Sequence, residues 1–108
     1  MKSPAFDYIR ADSPQHAFEL LAKHGDDARV IAGGQTLLAT LNMRLSQPAL
    51  LVDIAGFDAW RGIAVQGGLL RIGALARHSE VESSPLVARH APLLAQAAPH
   101  IAHRAIRN

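Results

Sequence analysis

Cysteine is absent from this 108-residue chain. That excludes disulfides and thiolate metal ligands at once. Lysine is scarce, with Lys2 and Lys23 alone, and the formal net charge is only +2. The remaining basic residues are arginines dispersed from Arg10 to Arg107, and aromatic residues make up just 5% of the chain. A nucleic-acid surface needs its cations clustered and interleaved with aromatic rings, so no nucleic-acid partner is expected. No apolar run is long enough to span a bilayer. The start shows no apolar signal core, because Lys2 is followed by Pro4, Asp7 and Arg10. A cytoplasmic protein is the expectation. Internal repeats and low-complexity tracts are missing. So are the G-x-G-x-x-G turn of dinucleotide-binding Rossmann units and the G-K-[ST] of nucleotide-triphosphate loops.

Side-chain catalytic machinery is equally thin. No serine is placed as an activated nucleophile. Glu80 and Glu82 would point in different directions on a helix, which argues against an acid/base pair. His100 and His103 are spaced to share a helix face, but no third ligand lies near them in sequence. Asp53, at the end of an apolar run, reads either as a carboxylate at the ligand-binding end of a strand or as a cap for the next turn, with the cap favoured. No catalytic residue and no metal ligand is assigned.

What is present is an apolar chain, 49% hydrophobic, with enough length for a modest core. Phe6–Ile9 alternates and reads as an edge strand. Ser13-Pro14 opens a helix, with serine as N-cap and proline at its first position. Ala17, Leu20, Leu21 and His24 share a face, and Gly25 ends the helix as a left-handed cap. Strand Arg29–Ala32 comes after the Asp26-Asp27 turn. A helix from Gln35 to Arg44 is next, with Leu37, Leu41 and Leu45 at helical spacing and Leu38 widening that face. Leu50–Val52 is a continuous apolar run, suited to a strand covered on both faces. After Ile54 the character changes. Ile63–Gln66, Gly67-Gly68 and Leu69–Ile72 form a hairpin signal, with Trp60 packing against the sheet. Ser84-Pro85 opens another helix, and Pro92 and Pro99 divide the region from Leu86 to Ile106 into short helical pieces. The expected fold class is α/β, α+β overall: a small parallel βαβ unit, then the start of an antiparallel sheet with helices.

Between the second strand and second helix lies Ala32-Gly33-Gly34-Gln35-Thr36. Glycines let a backbone adopt positive φ and let a ligand approach closely. The helix behind them leaves its first N–H groups unpaired and favours negative charge. The turn is thus either a phosphate cradle or an ordinary strand-to-helix connection. As a cradle, its sensitive position is Gly34, where a β-branched side chain would crowd the approach.

The stretch Ala32–Leu38 resembles the AGGQSLL signature of the FAD-binding medium subunit of molybdenum hydroxylases, the family of carbon monoxide dehydrogenase medium chains and xanthine dehydrogenase FAD-binding subunits. Phe6-Asp7-Tyr8, Ala49–Ile54, Leu70–Ala74, Ser84–Val87 and Ile101–Asn108 fall in the family's order. The resemblance implies FAD as cofactor, held by Ala32, Gly33, Gly34, Gln35 and Thr36. Thr36 stands where the family usually has serine and keeps the hydroxyl, while Ala39 replaces a frequent proline. It also implies a molybdopterin-binding large subunit and an iron–sulfur small subunit as partners, with electrons passing from iron–sulfur clusters through FAD to an acceptor. Residues 1–55 would be the N-terminal FAD-binding subdomain, and 56–108 the beginning of the second. The family continues into a second glycine motif, RGTIGG, just beyond Asn108, so the sequence reads as an N-terminal part. The expectations for such a part are weak FAD binding by the isolated chain and self-association as a homodimer. The alternative is a non-catalytic remnant or assembly module with little flavin affinity, and a generic anion-binding α/β domain also stays open.

Overall fold

A computed structural model describes residues 2–108. The chain divides into two units, one ending at Phe57 and one beginning at Asp58. The first unit is a three-stranded parallel sheet, β1 (Asp7–Arg10), β2 (Ala28–Ile31) and β3 (Leu50–Asp53), in the order β1-β3-β2. β3 is central: Leu51 aligns with Tyr8 on one side and Arg29 on the other, and Asp53 aligns with Arg10 and Ile31. The expected parallel pairing of the second and third strands is therefore present. So is double coverage of the apolar run, since Leu50, Leu51 and Val52 are at most 4% exposed.

Helix α1 (Pro14–His24) starts as its sequence requires, with the Ser13 hydroxyl accepting from the His16 N–H at 3.1 Å. Gly25 ends it at φ +52°, but its ψ of −128° is not that of a left-handed helical cap. The chain instead runs on through a 3-10 turn, Gly25–Asp27.

Helix α2 (Leu37–Asn42) is shorter than the expected 35–44. At its end Arg44 takes φ +56°, and the Leu45 N–H bonds back to the Thr40 carbonyl while that of Arg44 bonds to Leu41. This is the wrapped helix end usually made by glycine. It throws Leu45 off the helix, where it is 72% exposed. Only Leu41 of the leucine series is fully buried.

The second unit opens with a 3-10 turn, Asp58–Trp60, and the hairpin β4 (Ile63–Gln66) and β5 (Leu69–Ile72). Ile63 pairs with Ile72 and Gln66 with Leu69. Both turn glycines have positive φ, +56° and +78°, as a two-residue turn matching strand twist requires. Helices α3 (His78–Ser83), α4 (Pro85–His90), α5 (Pro92–Ala97) and α6 (Arg104–Arg107) complete the unit. Ile63 and Leu70 of the hairpin pack on a core of Val81, Val87 and Ala98. Ser84 caps α4 by accepting from Val87, and Pro85 and Pro92 occupy the first turns of their helices.

Arg107 anchors the end of this unit, only 9% exposed. Its Nε donates to Glu82 at 2.9 Å, and Nη1 donates to the carbonyls of Ile101 and Ala102.

Candidate cofactor loop

The loop Ala32–Thr36 leaves the C-terminal end of β2, the end where parallel sheets place their ligands. Ala32, Gly33, Gln35 and Thr36 are exposed, and Gly34 is half-buried. The structure thus brings all five expected site residues into one open turn. Gly34 has φ +75°. The carbonyls of Gly34 and Thr36 accept from Leu38 and Thr40, so the α-helical ladder begins there. Among the described residues, the N–H groups of Gly33, Gly34, Gln35, Thr36 and Leu37 make no bond to another backbone group. The side chain of Thr36 makes no capping bond either. These unpaired donors are the physical basis of an anion cradle. The macrodipole adds less than a helix of the expected length would, because α2 has only 6 residues.

The two glycines differ. A Cβ on Gly34 would lie 3.0 Å from Leu38 Cδ1 and 3.4 Å from Ile31 Cδ1. A side chain there would press on the chain's own Leu38 and Ile31 side chains, and the positive φ would strain it besides. Leu38, expected to widen the leucine face of the helix, lies against Gly34 instead and is 45% exposed. A Cβ on Gly33 would meet nothing within 4 Å.

Asp53 lies at the same end of the sheet. Its Oδ1 accepts from the Ala55 N–H at 2.8 Å, so it caps the adjoining turn, and its Oδ2 accepts from the Tyr8 hydroxyl. Partial burial pushes the Asp53 carboxyl up, but the bonds from Tyr8 and Ala55, with the Arg10 charge, outweigh this and hold it below the usual carboxylate range. The bond to Asp53 in turn raises the Tyr8 phenol. The partnership with Tyr8, 45 residues away, had no signal in the sequence. Arg29 is committed to the carbonyls of Asp26 and Ala28.

His100 and His103 do not share a helix face. His100 ends a 3-10 turn, and His103 caps α6 by accepting from the Ala105 N–H. Among the described residues no three of His, Asp and Glu gather as a metal-binding group. Trp60 lines a concavity of about 590 Å³ together with hairpin residues Ala64, Gln66 and Arg71, inside the second unit.

Residues 4–108 match the family described as FAD binding domain in molybdopterin dehydrogenase. The chain belongs to that family. The cofactor of this family is FAD, and the exposed turn with unpaired N–H groups and an open Gly33 is compatible with a phosphate-bearing group. Over its full length the chain is 48% identical to the 6-hydroxypseudooxynicotine dehydrogenase complex subunit alpha of Paenarthrobacter nicotinovorans, covering 36% of that protein. It is 40% identical to the carbon monoxide dehydrogenase medium chain of Hydrogenophaga pseudoflava, covering 38%. The FAD-binding family resemblance extends to three dimensions. The fold matches quinoline 2-oxidoreductase from Pseudomonas putida 86 with a TM-score of 0.92 at 41% identity, over all of this chain and 38% of that one. The chain thus spans little more than a third of the length of these relatives.

Proposed function

We propose that Ala32, Gly33, Gly34, Gln35 and Thr36 hold the pyrophosphate of FAD, mainly through backbone N–H groups. The observation that carries this reading is the turn itself: exposed, at the C-terminal end of β2, with consecutive N–H groups lacking backbone partners. FAD, when bound, supplies redox chemistry that no cluster of side chains here provides. The protein's part is to bind and orient. The wider role proposed is that of a flavoprotein subunit carrying electrons from iron–sulfur clusters to an acceptor. Its partners would be a molybdopterin-binding large subunit and an iron–sulfur small subunit. Support comes from relatives whose names include medium chain and medium subunit. A cytoplasmic location and self-association of the isolated chain belong to the same proposal. No described helix is long and apolar enough to cross a membrane.

The isolated chain should bind FAD weakly. Small-molecule sites typically enclose roughly 70–90% of a drug-sized ligand, and an exposed turn offers one wall. Calorimetric or fluorescence titration with FAD tests this. The expected dissociation constant is weaker than micromolar, and a tighter value would show that residues beyond the loop complete the site within this chain.

A further inference from the structure

From Ile101 to Asn108 every residue is exposed except Arg107. Ile101 and Ile106, the large apolar side chains of the stretch, are 37% and 41% exposed. The segment is thus held to the second unit chiefly through one side chain, and that side chain is charged. Its Nε donates to Glu82 of α3, in an ion pair whose arginine side chain is 10% exposed and whose glutamate is 31% exposed. Its Nη1 donates to two successive carbonyls, those of Ile101 and Ala102, at 3.1 and 3.2 Å. The torsions that set the relative direction of these two carbonyls are the φ and ψ of Ala102. That residue stands at φ +50°, where a side chain with a Cβ is strained. One guanidinium therefore ties the segment to α3 and also grips the residue that carries the strain.

We propose that residues 101–108 form a strap with two states, closed on α3 by the Arg107 guanidinium and opposed by the strained backbone of Ala102. The closed state needs Glu82. Without that carboxylate the Arg107 charge would stay buried against two carbonyls alone, and a buried charge that has lost its counter-charge is strongly disfavoured. Once the guanidinium swings out to water, the two carbonyls lose their shared donor. Nothing then holds Ala102 at positive φ, and it relaxes. Helix α6 has only four residues, too few to persist without support, so it unwinds with the rest of the strap. The core of the unit, Val81, Val87 and Ala98 with Ile63 and Leu70 against it, contains no residue of the strap. Opening is therefore local and leaves the unit folded. The closed strap presents Ile101 and Ile106 at the surface in fixed positions, and the open strap disperses them. The device is independent of the assignment of the loop to FAD.

The test compares the 108-residue chain with Glu82→Ala, Arg107→Lys and Ala102→Gly, each labelled with nitrogen-15. Two signals are followed: the backbone order parameters of the strap, and the exchange with water of the Arg107 Nε–H. Thermal unfolding is recorded in parallel. In the wild type, the amides of residues 104–107 should show the order of a rigid backbone, about 0.85, and the Nε–H should exchange slowly. Glu82→Ala should drop the order of the whole strap below about 0.6 and speed Nε–H exchange at least about tenfold, while the hairpin and α3–α5 keep their order and the melting temperature stays within about 2 °C. Arg107→Lys should loosen the strap likewise, because an ammonium lacks the fork that reaches a carboxylate and two carbonyls at once. Ala102→Gly removes the strain and should slow Nε–H exchange by roughly threefold. A strap that stays ordered in Glu82→Ala overturns the latch, since the two isoleucines would then hold the segment. Loss of order in α3–α5 together with the strap overturns the local opening. Faster exchange in Ala102→Gly overturns the opposing strain, and a strap already disordered in the wild type overturns the closed state.

Discussion

Tyr8 and Asp53 join the edge strand β1 to the end of the central strand β3 through one hydrogen bond. Each partner's ionisation is biased by the other. The Tyr8 phenol is raised, first by its bond to Asp53 and then by partial burial and the Asp53 charge. The Asp53 carboxyl is lowered despite its burial. The two contributions to stability have opposite pH limits. Asp53, with a depressed folded value, stabilises above the ordinary carboxylate pKa of about 3.9 and loses that contribution as pH falls through the folded value. Tyr8, with a raised folded value, stabilises below about 10 and loses its contribution as pH rises through the folded value. The chain has a single tyrosine, so alkaline difference absorbance reads Tyr8 directly. Its phenolate should form above the ordinary tyrosine pKa in the folded chain, and Asp53→Asn should bring the midpoint down toward it. A midpoint indifferent to that substitution would mean the bond does not persist in solution.

Among the elements, the hairpin and the proline-started helices were legible because their causes are local. Gly67-Gly68 supplies the two positive-φ residues that the turn needs, and Ser84-Pro85 caps and starts α4 within four residues. The parallel core was legible from the continuous run Leu50–Val52. Helix α2 was overextended because leucine spacing runs on through Leu45, whereas Arg44 accepts a left-handed conformation that sequence assigns to glycine or asparagine. The cofactor loop was legible as a motif. The different surroundings of its two glycines were not, since they depend on where Leu38 folds back. The Arg107–Glu82 pair, 25 residues apart, had no local pattern to reveal it. Gly73 belongs to the same class. The hairpin pairing continues beyond β5, with the Gly73 N–H bonded to the Gly62 carbonyl and that of Leu75 to Trp60, both at 2.9 Å. This brings the Trp60 backbone against the Gly73 Cα. Gly73→Ala forces that contact apart and should cost about 1–3 kcal/mol, read as a lower urea midpoint with unchanged slope. A midpoint equal to wild type would mean that the Asp58–Trp60 turn moves aside freely.

At the scale of the molecule, apolar surface governs how the isolated chain behaves. Scattered exposed apolar residues are ordinary, but in the second unit they coincide with open strand edges. The β4–β5 sheet has two strands, so among the described residues each keeps one side without a ladder partner. Leu69 on that hairpin is 73% exposed and Ile72 is 36% exposed, while Leu93 on α5 reaches 77%. Leu70, between them on the same strand, packs inward on the Val81–Val87–Ala98 core. A two-stranded sheet is marginal alone, and an apolar edge is a template for another chain. The isolated chain should therefore self-associate, by edge pairing or by exchange of a strand or helix between copies. Sedimentation velocity over a concentration series should show a rising mean mass. Leu69→Lys places a charge at the exposed hairpin position without touching the core, and should return the population toward monomer with its melting temperature at low concentration unchanged. Leu93→Lys serves as the comparison: if it dissolves the assembly and Leu69→Lys does not, association runs through α5 rather than the sheet. A wild-type chain that stays monomeric at the highest concentration would refute the expectation, and would mean that these exposed side chains are too dispersed to support contact between copies.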